Sequence, residues 1–145
     1  MSANIFEKLT YQMTEMIESS ISLALHNKNS EVEPIHFLWA LLTNSNSPLN
    51  QAFIKMGVDK TAIELDVKSL TKKLPTASHV TKESIRVSRD FVHALERASA
   101  EMAVNGDEYI AIDAFLMGNL NHSPFKEVLE TYVNVFELRK TFESM

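Results

Sequence analysis

Apolar residues recur at intervals of three, four and seven along two long segments of the chain, and this spacing predicts an amphipathic helix in each. Thr10 and Ser88 are the predicted N-caps, because a side-chain hydroxyl at a helix start accepts a hydrogen bond from a backbone N–H. The first helix is predicted from Thr10 to Leu25. Its apolar positions are Leu9, Met13, Met16, Ile17 and Ala24, and those of the second are Phe91, Leu95, Ala98 and Met102.

The segment that follows each of these helices is apolar on most sides. In the first half it covers positions 35–42 and is preceded by Pro34, whose fixed φ suits the first position of a helix. The counterpart at 112–120 is interrupted by Asp113 and Asn119. Because a helix that is apolar all round belongs in a core, we expect these two helices at the centre of the fold.

Proline and cap signals predict four further helices. A Ser followed by Pro is predicted to open a short helix in each half, and Asp or Asn is predicted to cap the last helix. Gly106 is predicted to take the left-handed conformation that ends the second long helix. The four start signals are Ser47-Pro48, Asp59, Ser123-Pro124 and Asn134.

The two halves of the chain repeat each other at an offset of about 78 residues. The segment Glu33 to Trp39 matches Ala111 to Met117, and the Ser-Pro pair also recurs. The fold class is therefore predicted to be all-α, a pseudo-twofold bundle of two four-helix repeats with about eight helices. We expect one domain over 1–145, with a first repeat at 5–74, a linker at 75–86 and a second repeat at 87–145.

Composition narrows the class of protein. The chain has no Cys, which excludes disulfides and thiolate metal sites, and its net charge of −5 argues against a nucleic-acid partner. No apolar run resembles a signal peptide or approaches the length of a membrane span. We therefore expect a cytoplasmic protein with no membrane or nucleic-acid partner.

Catalytic and metal-binding patterns are missing from the sequence. There is no glycine-rich phosphate loop and no Gly-x-Ser-x-Gly nucleophile elbow. Glu33 and His36 have the Glu-x-x-His spacing of di-iron bundles, but the second copy places Ala111 and Ala114 at the matching positions. We expect no enzyme activity, no catalytic residue and no metal ligand in this chain.

Two segments carry a resemblance to a known family. They run from Leu23 to Leu38, including Glu33-Pro34-Ile35-His36, and from Gly106 to Ile110, followed by Asp113. With these segments the chain resembles, over essentially its whole length, the N-terminal domains of the Clp-type AAA+ chaperones, and looks most like those of the ClpB disaggregases.

The resemblance implies a domain that binds unfolded or aggregated polypeptide weakly and passes it to a hexameric AAA+ ring. It implies no cofactor in this chain, since ATP and Mg belong to AAA+ modules outside it, and a monomeric isolated domain. The alternative within the same family is an adaptor-docking domain of a Clp protease unfoldase. A free-standing helical scaffold or small enzyme is the third possibility, for which the sequence offers no site.

The resemblance also implies a binding site. Three polar residues match family positions implicated in substrate handling, and two neighbours are expected to line a groove beside them. Each polar residue also has a structural explanation, as a helix cap, a turn residue or an acid near a helix N-terminus. The five predicted substrate-binding residues are Thr10, Asp107, Tyr109, Asp113 and Ala114.

The chain departs from the family pattern at three positions. Asp113 stands where the ClpB domains usually have Glu, which shortens the acidic side chain by one methylene. Arg97 and Glu101 are polar at positions that are apolar in the family's groove.

Overall fold

The computed structural model describes residues 3–145, and helices dominate its regular structure. This confirms the predicted all-α class. Among the described residues, no helix is both long and apolar enough to cross a membrane. After a 3-10 helix at Ala3–Lys8, the elements are α1 (Tyr11–His26), β1 (Glu31–Val32), α2 (Pro34–Thr43), α3 (Pro48–Met56), α4 (Thr61–Lys72), β2 (Arg86–Val87), α5 (Arg89–Val104), α6 (Ile112–Asn119), α7 (Phe125–Tyr132) and α8 (Val135–Glu143).

Four predicted N-caps are confirmed. The hydroxyl oxygens of Thr10 and Ser88 each accept a hydrogen bond of 3.1 Å from the backbone N–H three residues on. Ser47 does the same at the start of α3, at 3.2 Å, and the side chain of Asn134 accepts at 3.0 Å at the start of α8. Local cap chemistry therefore sets the start of one long helix in each repeat and of two shorter ones.

Two predicted caps are wrong. Asp59 accepts from the N–H of Thr61, two residues on, at 2.9 Å, so it forms an Asx-type turn and the residue at the cap position is Lys60. Before α7, Pro124 occupies the cap position with helical backbone angles. Ser123 therefore lies one residue too early and donates its hydroxyl to Glu127 at 2.6 Å.

Two short parallel backbone pairings, equivalent in the two repeats, join one repeat to the other. Val32 pairs with Val87 in the β1–β2 pair, and Leu9 pairs with Ile110 in an isolated bridge. No strand was expected, because two-residue strands leave no period in the sequence. In each pairing, the residues that precede the long helix of one repeat lie beside those that precede the central helix of the other.

The core is shared between the repeats. Phe37 of α2 and Phe115 of α6 occupy matching positions, and their ring centroids lie 4.3 Å apart. Phe91 and Phe125 extend this buried cluster, at 5.9 Å from Phe37 and 5.6 Å from Phe115 respectively. Around it, α3 packs on α8 and α4 packs on α7, so each outer contact also joins one repeat to the other. This interlocking creates clefts between the repeats.

Candidate functional site

A groove with a volume of about 560 Å³ lies between the two repeats. Its walls are the start of α1 and the α2–α3 turn from the first repeat, and the start of α6 and the end of α8 from the second. We call it the Thr10 groove. Its lining residues are Thr10, Gln12, Glu15, Met16, Asn44, Asn46, Ser47, Pro48, Gln51, Ala111, Ile112, Asp113, Phe142 and Met145.

The Thr10 groove combines an apolar base with a polar margin. Met16, Ile112 and Phe142 lie at least nine-tenths buried and present apolar surface to it. The amide side chains of Gln12 and Gln51 are exposed at its edge. Amide groups both donate and accept hydrogen bonds, so they can pair with peptide backbone while the apolar base contacts side chains.

Thr10 lies in this groove as a consequence of its capping role. Its hydroxyl oxygen accepts from the N–H of Met13 at 3.1 Å, and its own backbone N–H donates to the carbonyl of Ile110 at 3.0 Å. The backbone pairing fixes the start of α1 against the start of α6. The hydroxyl hydrogen can still be donated to an acceptor in the groove.

Asp113 supplies an exposed carboxylate from the first turn of α6. One of its oxygens accepts from the N–H of Ala114 at 2.9 Å. Within residues 3–145 the only Lys or Arg side chain within 4.0 Å of a carboxylate is Lys60, beside Glu64. The carboxylate of Asp113 therefore faces the groove without a cationic partner from the described part of the chain.

The structure places the other three predicted site residues outside the lining of this groove. Asp107 is exposed in the turn after α5, where its backbone N–H donates to Met102 at 3.0 Å. Tyr109 is also exposed, at 55%, just before the paired residue Ile110. Ala114 is 3% exposed and lies with the core. Of the five residues, the fold brings Thr10 and Asp113 together.

Sequence reasoning missed most of the groove. Asn44 and Asn46 in the α2–α3 turn and Phe142 and Met145 at the chain's end were not among the predicted residues, yet they line it. The recurring Ser-Pro pairs marked this turn as a shared feature of the repeats. That signal locates a turn, but it does not say which part of the other repeat lies opposite.

The polar departures at 97 and 101 do not line the Thr10 groove. Arg97 is half-buried and its Nε donates to the side-chain oxygen of Asn119 at 2.8 Å. The amide nitrogen of Asn119 in turn donates to the carbonyls of Ala94 and Phe115. Arg97 therefore belongs to a polar contact between α5 and α6, and Glu101 lies further along α5.

His36 is buried and both of its ring nitrogens are engaged. Nδ1 accepts from the backbone N–H of Glu33 at 2.8 Å, so Nε2 carries the hydrogen and donates to Asn29 at 2.9 Å. Burial lowers the pKa of His36 to about 4. The Glu-x-x-His spacing therefore caps the start of α2, because the side chain of His36 accepts from the backbone N–H of the N-cap residue Glu33. No cluster of three or more potential metal ligands occurs among residues 3–145.

Comparison with known proteins places the chain in a family. Residues 8–132 match the model of the Clp repeat (R) N-terminal domain. Chaperone protein ClpB of Wolinella succinogenes is 49% identical over 142 residues, which are 98% of this chain and 17% of that protein. Chaperone protein ClpB of Helicobacter hepaticus is 46% identical over the same share of the chain and 16% of its own length. The chain therefore spans about a sixth of these relatives.

Solved structures share the fold at low identity. The Hsp104 N-terminal domain from Candida albicans has a TM-score of 0.79 at 21% identity, covering 93% of this chain and 89% of that one. The N-domain of ClpV from Vibrio cholerae has a TM-score of 0.79 at 20% identity, covering 97% and 86%. A complex of a ClpV N-domain with a VipB peptide has a TM-score of 0.65 at 21% identity, covering 97% and 80%. The chain thus belongs to the Clp repeat N-terminal domain family of chaperones.

Proposed function

We propose that the Thr10 groove binds segments of unfolded or aggregated polypeptide, and that the domain does so on behalf of an ATP-dependent disaggregase. The observation that carries this proposal is the composition of the groove, an apolar base with amide and carboxylate groups at its margin. Unfolded chains expose both apolar side chains and unpaired backbone groups. The groove offers a partner to each.

The lining favours varied sequences over a single ligand. Met16 and Met145 contribute flexible, polarisable side chains, which adapt to differently shaped apolar groups. Glu15 and Asp113 place carboxylates at the margin, so segments that carry Lys or Arg are favoured during encounter. Exposed charge pairs contribute only about 0 to 1 kcal/mol, which suits weak and reversible binding.

The family supports the same role. The curated relatives are ClpB chaperones, and a ClpV N-domain of the same fold has been solved with a bound peptide. In the whole protein, the domain would deliver segments to a hexameric, cytoplasmic AAA+ ring that uses ATP and Mg. The isolated domain acts as a monomer in this proposal.

The test is a titration of the isotope-labelled domain with reduced, unfolded casein, following backbone amide chemical shifts. We expect shifts around Thr10, Ile112 and Phe142, and a two- to fivefold weaker affinity for Asp113→Asn. Glu96→Gln is the control, because Glu96 is an exposed acid outside the groove lining and outside the set of predicted site residues.

Two results would contradict the proposal. One is the absence of shifts at the Thr10 groove with unfolded casein at high concentration. The other is a response only to folded adaptor proteins, which would assign the groove to an adaptor-docking domain of a protease unfoldase.

A further inference from the structure

A second groove, with a volume of about 290 Å³, is also lined by residues of both repeats. It is bounded by the starts of α2 and α5, the end of α4 and the turn before α7. We call it the Asp90 groove. Its lining residues are Glu33, Pro34, Ile35, Leu70, Leu74, Asp90, Ser123 and Pro124.

The Asp90 groove is the repeat-related copy of the Thr10 groove. Its Ser123-Pro124 turn corresponds to Ser47-Pro48, and its Asp90 corresponds to Gln12. The start of α2, at 33–35, takes the place of the start of α6, at 111–113. Both grooves are therefore made by the same four structural parts, with the roles of the two repeats exchanged.

The chemistry of the two copies differs at the matched positions. Where the Thr10 groove has Asp113, the Asp90 groove has Ile35, and where it has Gln12 and Ala111, the Asp90 groove has Asp90 and Glu33. Acidic residues therefore occupy different matched positions in the two grooves. Leu70, Leu74 and Pro124 complete an apolar wall beside the two carboxylates.

The carboxylates of the Asp90 groove have no cation beside them. Neither Glu33 nor Asp90 has a Lys or Arg within 4.0 Å in the described part of the chain. Burial raises the pKa of Glu33, and the nearby carboxylates of Glu31 and Asp90 add to the rise, against a hydrogen bond with Ser88 that lowers it. A cation in this groove would relieve the mutual repulsion of these acids.

We propose that the Asp90 groove is a second polypeptide-binding site, and that it takes segments in which Lys or Arg lies next to a large aliphatic side chain. The aliphatic group packs against Ile35, Leu70 and Leu74, while the cation lies between Glu33 and Asp90. That the ligand is a polypeptide rests on the proposed function. The location of the site and its preference for Lys or Arg rest on the lining of the Asp90 groove.

The experiment uses two short acetylated peptides, one alternating Leu with Lys and a matched one alternating Leu with Glu. Each is titrated into the labelled domain, in the wild type, in the Glu33→Gln/Asp90→Asn variant and in Asp113→Asn. We expect the Leu–Lys peptide to shift the amides of Leu70, Leu74 and Ser123. Affinity read at these amides should fall about three- to tenfold in the double variant and stay unchanged in Asp113→Asn.

Three outcomes would overturn the inference. They are equal shifts from both peptides in the Asp90 groove, shifts confined to the Thr10 groove, and shifts that grow with the concentration of the domain alone and so show self-association. The second outcome leaves the proposed function intact. Shifts of the expected kind in the Asp90 groove, with a silent Thr10 groove, would instead contradict the proposed function and support this second site.

Discussion

His36 and Asn29 are joined by a buried hydrogen bond in which Nε2 of the imidazole donates to the side-chain oxygen of Asn29 at 2.9 Å. The backbone of Asn29 donates to Ala24 at 2.8 Å at the end of α1, and Nδ1 of His36 accepts from Glu33 before α2. A neutral imidazole therefore connects the end of one helix to the start of the next.

This contact predicts that acid destabilises the domain. Burial lowers the pKa of His36 from 6.5 to about 4, so the unfolded chain binds a proton that the folded chain does not. The contribution of His36 to the free energy of unfolding is therefore retained above pH 6.5 and is lost as the pH is lowered. The loss reaches about 3 kcal/mol at pH 4. Urea unfolding at several pH values measures this slope.

His36→Gln should flatten the acid slope, because it removes the titrating group. Glu33 contributes with the opposite sign, since its raised pKa makes the folded chain hold a proton more tightly than the unfolded chain. The pH dependence of stability with His36 and with His36→Gln is therefore best compared in a Glu33→Gln background. Parallel profiles with and without His36 would show that this side chain does not govern the acid transition.

Lys28 and Gly106 occupy matching positions of the two repeats, and both have left-handed backbone, with φ of 58° and 76°. Left-handed backbone costs a residue with a side chain about 1 kcal/mol or more, whereas Gly adopts it freely. We expect Lys28→Gly to stabilise the domain by up to about 1 kcal/mol and Gly106→Ala to destabilise it by about the same.

The two changes act through conformation and not through crowding. A Cβ added at Gly106 would have no atom within 4 Å, apart from its chain neighbours. Urea midpoints of the two variants should therefore move in opposite directions from the wild type. Shifts in the same direction would mean that other contacts of these turns decide the result.

Gly118 allows α6 to approach α5 closely. A Cβ at this position would lie 2.8 Å from the carbonyl oxygen of Arg97, which is backbone and cannot rotate away. In an exposed helix, Gly→Ala gains about 1 kcal/mol, but we expect Gly118→Ala to destabilise by roughly 1 to 3 kcal/mol because the helices must separate. Thermal unfolding measures the change, and a raised melting temperature would refute this explanation.

Asn50 closes the end of α2 from within the core. Its amide nitrogen lies 3.1, 2.9 and 2.7 Å from the carbonyl oxygens of Leu41, Leu42 and Asn44. Each of these carbonyls keeps a second donor, from Ser47 or Lys60, so Asn50→Ala removes three contacts without leaving a carbonyl unpaired. We expect a loss of about 1 to 2 kcal/mol. The control is Gln51→Ala, an exposed neighbour expected to change stability by less than about 0.5 kcal/mol. Equal losses for the two variants would contradict this role for Asn50.

Much of the fold could be predicted from local signals. Thr10, Ser47 and Ser88 cap helices as expected, because a hydroxyl and the N–H three residues on are neighbours whatever the rest of the chain does. The left-handed backbone at Lys28 was not predicted, because Lys carries no signal for it. Lys28 lies at the position that corresponds to Gly106, so the equivalence of the two turns, and not the residue type, explains its left-handed backbone.

The sequence by itself determined the helices, most of their starts, the repeat and the family. These follow from periodicity and from hydrogen bonds between residues a few positions apart. Only the tertiary structure decided that Gln12 and Asp113 line one groove while Asp90 and Ile35 line its counterpart. Those groups come from different repeats, and their meeting depends on the paired segments at Leu9–Ile110 and Val32–Val87 and on the shared aromatic core.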